Sequence, residues 1–169
     1  MLPGDTVWAD LGAGDGVFTR ALARLLGVGG IVYAIDRDAD AVNQLKSLAA
    51  SAKRGDGAEL RPLFGDISEI LQIPALNGAL LANALHFVTP HQQAATLADV
   101  ATRLRSGGRV VVIEYDNREA NQWVPYPISR DRLAELASEA GLGVPYVTAT
   151  TPSAFGGILY VAAMKRVEN

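Results

Sequence analysis

Short apolar runs alternate with helical apolar stripes along this chain. Val7 to Leu11 is a compact apolar run, after which Phe18, Ala21, Leu22, Leu25 and Leu26 recur at helical spacing until Gly27 and the Gly29-Gly30 pair. The pattern predicts a strand, a glycine loop and a helix. Ile31 to Ile35 predicts a second buried strand, and Asp38 caps a helix whose inner face is Val42, Leu45 and Ala49. Leu60 to Phe64 is a weaker third strand, interrupted by Pro62, and Gly78 to Ala82 is a fourth. Thr89-Pro90-His91-Gln92 has the form of a capping box with proline at the first helical position; Leu97, Val100, Ala101 and Leu104 follow as its buried stripe, closed by Gly107 and Gly108. Val110 to Ile113 is β-branched and suits the middle of a parallel sheet. Ser129 caps a helix facing inward through Leu133, Leu136, Ala137 and Ala140, stopped by Gly141 and Gly143. The rhythm then changes. Val144 to Thr150 and Ile158 to Met164 flank a turn containing Pro152 and Gly156-Gly157, which predicts an antiparallel hairpin. The expected class is α/β, a doubly wound and mostly parallel sheet with an antiparallel edge.

Composition narrows the functions open to such a sheet. The 169 residues are 49% hydrophobic and 20% charged, with a mean hydropathy of +0.15, which suits one domain with a substantial core. A net charge of −3 gives no long-range attraction to nucleic acid or to an anionic membrane. With no cysteine, disulfides, thiolate metal sites and a cysteine nucleophile are excluded together, and no metal set is expected. No stretch reaches the roughly 18 apolar residues of a membrane span, and MLPGDTVWAD lacks the basic and apolar regions of a secretion signal, so a cytoplasmic protein is expected.

The first glycine loop, ADLGAGDGVF from Ala9 to Phe18, decides which ligand to expect. A dinucleotide fingerprint needs a third glycine where Val17 stands. Asp10 and Asp15 would also set negative charge beside a pyrophosphate, whereas a cationic ligand reverses the sign of that interaction. Asp15 has a second reading as a first-turn helix charge. Asp36 ends the second strand, where a carboxylate accepts both hydroxyls of a ribose. Its competing reading is a helix cap, for which Asp38 is the rival. Asp66, after Gly65, is placed to accept from an exocyclic amine of a base, or else to start a short helix over Ile67 to Leu71. Arg37 reads either as a solvated side chain or as one lying along the base edge, and Asn83 opens onto the same crevice.

Asp10-Leu-Gly12-Ala13-Gly14-Asp-Gly16, Asp36, Gly65-Asp66, Asn83-Ala-Leu-His86-Phe87, and Leu104-Arg-Ser-Gly107-Gly108 before a strand together resemble class I S-adenosylmethionine-dependent methyltransferases. The resemblance covers about Pro3 to Arg166. It implies a Rossmann-like, seven-stranded sheet whose antiparallel last strand is inserted between the fifth and sixth. It implies S-adenosyl-L-methionine as cofactor, with Asp10, Gly12, Ala13, Gly14 and Gly16 facing the methionyl part, Asp36 on the ribose, and Asp66 with Ile67 bordering the adenine. Members usually carry helices before the first strand, and here that strand starts at Val7. The expectation is therefore a single domain, residues 1–169, without the usual helical cap. The cover would come from a trimmed segment, from the loop Asp116 to Pro127, or from a second subunit in a homodimer.

Methyl transfer from a sulfonium asks mainly for positioning and exclusion of water, with a base where the acceptor must lose a proton. His86 is the expected base, its competing reading a histidine packed under the next helix; His91 is expected at the surface. The chain lacks the Pro-Pro-aromatic sequence that follows Asn or Asp in enzymes methylating base amines or glutamine amides, and it lacks the cysteine needed for pyrimidine carbons. A small-molecule acceptor is expected, and no nucleic acid. Tyr115, Trp123 and Tyr126 suit an apolar wall or lid over that acceptor, or else pin an irregular loop to the body. Two rival functions stand beside this one: a catalytically silent cofactor-binding or partner-binding module, and a nicotinamide oxidoreductase.

Overall fold

Apolar β-branched and alanine-rich runs pair as parallel strands through the centre of the molecule. The computed structural model describes residues 6–52, 57–69 and 71–167. In chain order they form β1 (Val7–Leu11), α1 (Val17–Leu26), β2 (Ile31–Asp36), α2 (Ala39–Ser51), β3 (Glu59–Phe64) and β4 (Leu76–Ala82). A single 3-10 turn (Leu85–Phe87) precedes α3 (Pro90–Arg103), β5 (Leu104–Asp116), α4 (Arg130–Glu139), β6 (Tyr146–Pro152) and β7 (Ile158–Lys165). The seven strands lie in the order β3-β2-β1-β4-β5-β7-β6. Strands β1 to β5 pair in parallel, and β7 is antiparallel to both β5 and β6. The expected hairpin and the inserted last strand are both present. Because β7 reverses direction twice over, β6 runs the same way as β1 to β5. The turn that follows β6 therefore lies at the carboxyl end of the sheet, beside the loops after β1 to β4.

Alternation along β4 sorts the helices onto two faces. Leu80 and Ala82 pack with Leu22 and Ala23 of α1, while Ala79 and Leu81 pack with Leu97 of α3 and Leu133 and Leu136 of α4. Ala34 of β2 meets Leu45 of α2 on the α1 side. Both layers bury apolar side chains on a shared sheet, at roughly 1.5–3 kcal/mol for each large one fully removed from water. Among the described residues no helix is long and apolar enough to cross a membrane.

Local chemistry shifts several predicted boundaries. Helix α1 starts at Val17; Leu22 with half-buried Phe18 and Leu26 packs inward as predicted, Thr19 and Ala23 join them, and Ala21 and Leu25 are exposed, Leu25 to 84%. The polar Thr19 belongs inside because it bonds to a buried carboxylate. Leu104 is buried as expected, yet its backbone is extended and it opens β5 rather than closing α3. Pro62 sits within β3, which tolerates it as an edge strand. Strand β6 begins after Pro145 and leaves Val144 exposed. The capping box is not formed: the Thr89 hydroxyl donates to Gln92 Oε1 at 2.6 Å, while the Gln92 and Gln93 amides turn to the Thr89 carbonyl. Asp38 and Ser129 do cap, accepting from Asp40 N and Arg132 N at 2.8 and 3.1 Å.

Candidate active site

The order of strands reverses between β1 and β4, and there the loops part to leave a cleft beyond their carboxyl ends. The cleft has a volume of about 840 Å³. Its floor is the loop after β1. Gly12 N and Ala13 N both donate to the Ile35 carbonyl, at 2.9 and 3.0 Å, and Gly14 N donates to Asp36 Oδ2 at 2.8 Å. This folds the loop back over the end of β2. Gly12 takes φ +77°, and a Cβ there would come within 2.6 Å of Ala84 Cβ, so the loop can lie against the segment after β4 with glycine alone. At Gly14, also left-handed, a Cβ would meet nothing within 4 Å, which leaves the backbone open to a ligand. Gly16 does not line the cleft; it caps α1 and lies close against Leu45 and Leu48 of α2.

Two buried acceptors lack donors beside this floor. Asp10 is 1% exposed, and its Oδ2 accepts from Thr19 Oγ1 at 2.6 Å while Oδ1 has no partner. Burial pushes its carboxyl up from 3.8 to about 6; the Asp36 charge adds to the rise and the Thr19 bond opposes it. Asn83, held at φ +53° with its amide on the Ile113 carbonyl at 2.8 Å, likewise has an unpartnered Oδ1. Both residues line the cleft. A ligand bearing an ammonium group supplies the donors they lack.

The acidic ends of β2 and β3 form the adjoining wall. Asp36 accepts from Gly14 N through Oδ2 and from Asp38 N at 2.9 Å through Oδ1, and each oxygen keeps a further lone pair. Asp38, not Asp36, caps α2. Asp66 accepts from Ser68 N and Oγ at 2.9 and 2.7 Å, which makes a turn, and pairs with Arg37 Nη1 at 3.2 Å. Burial alone would raise the Asp66 carboxyl; the Ser68 bonds and the Arg37 guanidinium outweigh it and hold it below the usual range. Ile67, with Arg37 and Asp66, also lines the cleft.

The opposite end of the cleft is apolar. Ala84, Phe87 and Val88 after β4 and Phe155 from the β6–β7 turn form it, with Thr89 and Gln92 as its polar side chains, and Phe18 of α1 also lines the cleft.

A methyltransferase domain family matches residues 9–108, more than half of the chain, including the loop, Asp36, Asp66 and Asn83. The chain belongs to that family. Its cofactor is S-adenosylmethionine, and the sheet matches solved methyltransferases throughout. A SAM-dependent methyltransferase from Methanosarcina mazei is 17% identical, with 98% of this chain and 94% of that chain covered at a TM-score of 0.78. The 1,6-didemethyltoxoflavin-N1-methyltransferase of Burkholderia thailandensis, solved with 1,6-didemethyltoxoflavin and S-adenosylhomocysteine, is 25% identical over 96% of this chain and 71% of that one, TM-score 0.76. A TehB-like SAM-dependent methyltransferase from Corynebacterium glutamicum is 21% identical over 96% and 80%, TM-score 0.68. No curated protein sequence matches the chain. The family excludes the nicotinamide reading.

In this methyltransferase the expected cofactor residues Asp10, Gly12, Ala13, Gly14, Asp36, Arg37, Asp66, Ile67 and Asn83 gather along one cleft. The residues expected on the acceptor side do not. His86 is 2% exposed and outside the lining; its Nδ1 lies 2.6 Å from Glu114 Oε2, its amide donates to Glu114 Oε1 at 3.1 Å, and its ring packs on Phe87. That is the packed reading of His86, with a buried carboxylate as the partner. Tyr115 is buried beside the same imidazole, with centroids 6.2 Å apart, and Arg118 lies 4.3 Å over its ring. Trp123 and Tyr126 lie outside the lining on the 116–127 segment, which Val124 and a bond from Tyr126 N to the His86 carbonyl pin to the body. Phe87 and Phe155 line the cleft instead, and each carried one signal in the sequence: a large aromatic placed in a turn.

Proposed function

We propose that the chain binds S-adenosylmethionine along this cleft and methylates a small molecule seated at the Phe87 and Phe155 end. The observation that carries the reading is the buried, unpartnered Oδ1 of Asp10. Together with Asn83 it would receive the methionyl ammonium; Asp36 would hold the ribose hydroxyls, and Asp66 with Arg37 and Ile67 would border the adenine. When bound, the cofactor supplies a methyl group on a positively charged sulfur. The chain's own residues orient it: the Gly12 to Gly14 backbone allows close approach, and Asp36 fixes that backbone by accepting the Gly14 amide. At the acceptor end Thr89 and Gln92 do not titrate near neutrality, so this end holds and orients the acceptor rather than taking its proton. The bound small molecule of the Burkholderia relative supports an acceptor of that size.

Calorimetric titration with S-adenosylhomocysteine tests the cofactor assignment. Binding is expected, and Asp36→Ala should weaken it by about 1–3 kcal/mol, roughly 5-fold to 150-fold in Kd, because the ribose loses its acceptors and the Gly14 amide its anchor. Equal affinity in the wild type and the variant would remove Asp36 from the site.

A further inference from the structure

We propose that the acceptor is a flat aromatic molecule bearing no negative charge, gripped between Phe87 and Phe155. The proposal rests on the reading above, since it assigns the occupant of the end of the cleft that the cofactor residues leave free. Phe87 is 42% exposed and Phe155 81% exposed, and both rings line the cleft. Large aromatic side chains left in contact with water inside a cleft, instead of joining the core, favour a partner that covers them.

Phe155 does not hang on a free loop. Its turn is closed by bonds from Ser153 N to the Gly157 carbonyl at 3.0 Å, from Gly156 N to the Ser153 carbonyl at 3.1 Å, and from Phe155 N to Ser153 Oγ at 3.1 Å. Arg118 fastens the turn to the body: its Nη1 donates to the Gly156 carbonyl at 3.0 Å while the guanidinium stacks on buried Tyr115. Phe87 is fixed from the other side through its neighbour His86, which Glu114 grips by both amide and ring. The two rings therefore stand on backbone segments that are each anchored, so a planar guest has side-chain torsions rather than whole loops to order.

Charge then selects against anions. The cleft is lined by the carboxylates of Asp10, Asp15, Asp36, Asp38 and Asp66, and Arg37, the lining cation, is already paired with Asp66. Within such a field an acceptor carrying a carboxylate or phosphate is repelled, whereas a neutral ring is not. Thr89 and Gln92 add uncharged hydrogen-bonding groups at the rim, which suits ring heteroatoms or hydroxyls.

The test uses protein saturated with S-adenosylhomocysteine and three probes followed by amide NMR: quinoline, quinoline-2-carboxylate and cyclohexanone. Quinoline is expected to bind and to shift amides of residues 84–88 and 153–157. Phe155→Ala and Phe87→Leu should each weaken it by roughly threefold to tenfold, the worth of one aromatic contact. Both variants should keep S-adenosylhomocysteine affinity within about twofold by calorimetry. The carboxylate should bind about fivefold or more weakly than quinoline, and cyclohexanone should leave these amides unmoved. The proposal is overturned if quinoline fails to bind the loaded protein, binds both variants as tightly as the wild type, or is matched by the carboxylate or by cyclohexanone. Failure of S-adenosylhomocysteine itself to bind would overturn the cofactor assignment with it, and the calorimetry reads that outcome separately.

Discussion

Replacing Glu114 by alanine is expected to destabilise the fold by about 3–5 kcal/mol, the summed cost of two buried hydrogen-bonding groups left without a partner and of the cavity the side chain vacates. Glu114 is fully buried in β5 and serves residue 86 twice, accepting its amide through Oε1 and facing its imidazole through Oε2 at 2.6 Å. Without it, a buried amide and a buried ring nitrogen lose their partner, and neither can reach water from a site that is 2% exposed. The damage extends to the cleft. Residue 86 sits between Asn83 and Phe87, and its carbonyl also anchors Tyr126 N, so one side chain holds the segments after β4 and after β5 together. For a chain of this size the loss corresponds to a fall in Tm of roughly 6–20 °C. Glu114→Gln keeps the shape and an acceptor for the amide, and should lose less than half as much. Thermal melts of both variants check this; an alanine variant melting within about 2 °C of the wild type would show that the pair contributes little.

The cofactor side of the cleft was legible in the sequence because its geometry is local. A carboxylate at the end of a parallel strand, such as Asp36 or Asp66, is carried to the cleft by the strand itself, and a glycine loop after β1 stands at the switch point whatever the rest of the chain does. The acceptor side was not, because it depends on contacts made far along the chain. Phe155 reaches the cleft because β7 inserts between β5 and β6 and so turns the end of β6 toward the same edge. Tyr115, Trp123 and Tyr126 read by composition either as a wall or as pins for an irregular loop; Tyr115 packs beside His86 and Arg118, and the other two belong to a segment tied to the body. The inner stripe of helix α1 departs from the apolar pattern at Thr19 for a related reason. A hydrophobic stripe takes no account of Thr19, which is fully buried because Asp10, on a different element, needs its hydroxyl.

Raising the pH from 4 through about 6 is expected to weaken the ligand-free fold and strengthen cofactor binding, both through Asp10. Its carboxyl is pushed up from 3.8 to about 6, first by burial and then by the Asp36 charge, against the pull of the Thr19 bond. Unfolded chains release this proton near pH 4 and the folded chain near pH 6, so across that window the folded state holds a proton that the unfolded state has lost. Stability contributed by the neutral carboxyl is full at the acid end and falls as pH rises, by about 3 kcal/mol in all for a rise of this size. Asp66, held below the usual range by Ser68 and Arg37, works in the opposite direction, losing stability as the solution is acidified. The Asp10 share is therefore read as the difference between wild type and Asp10→Asn in urea melts from pH 4 to pH 8. A donor arriving at Asp10 Oδ1 favours the ionised form, so S-adenosylhomocysteine should bind more tightly as pH rises through about 6 and release a proton when it binds at lower pH. Calorimetry in buffers of different ionisation enthalpy counts that proton. Asp10→Asn should bind more weakly at pH 8 and show neither the slope nor the proton; a wild type whose affinity is flat from pH 5 to pH 8 would mean that the Asp10 carboxylate does not meet the ligand's charge.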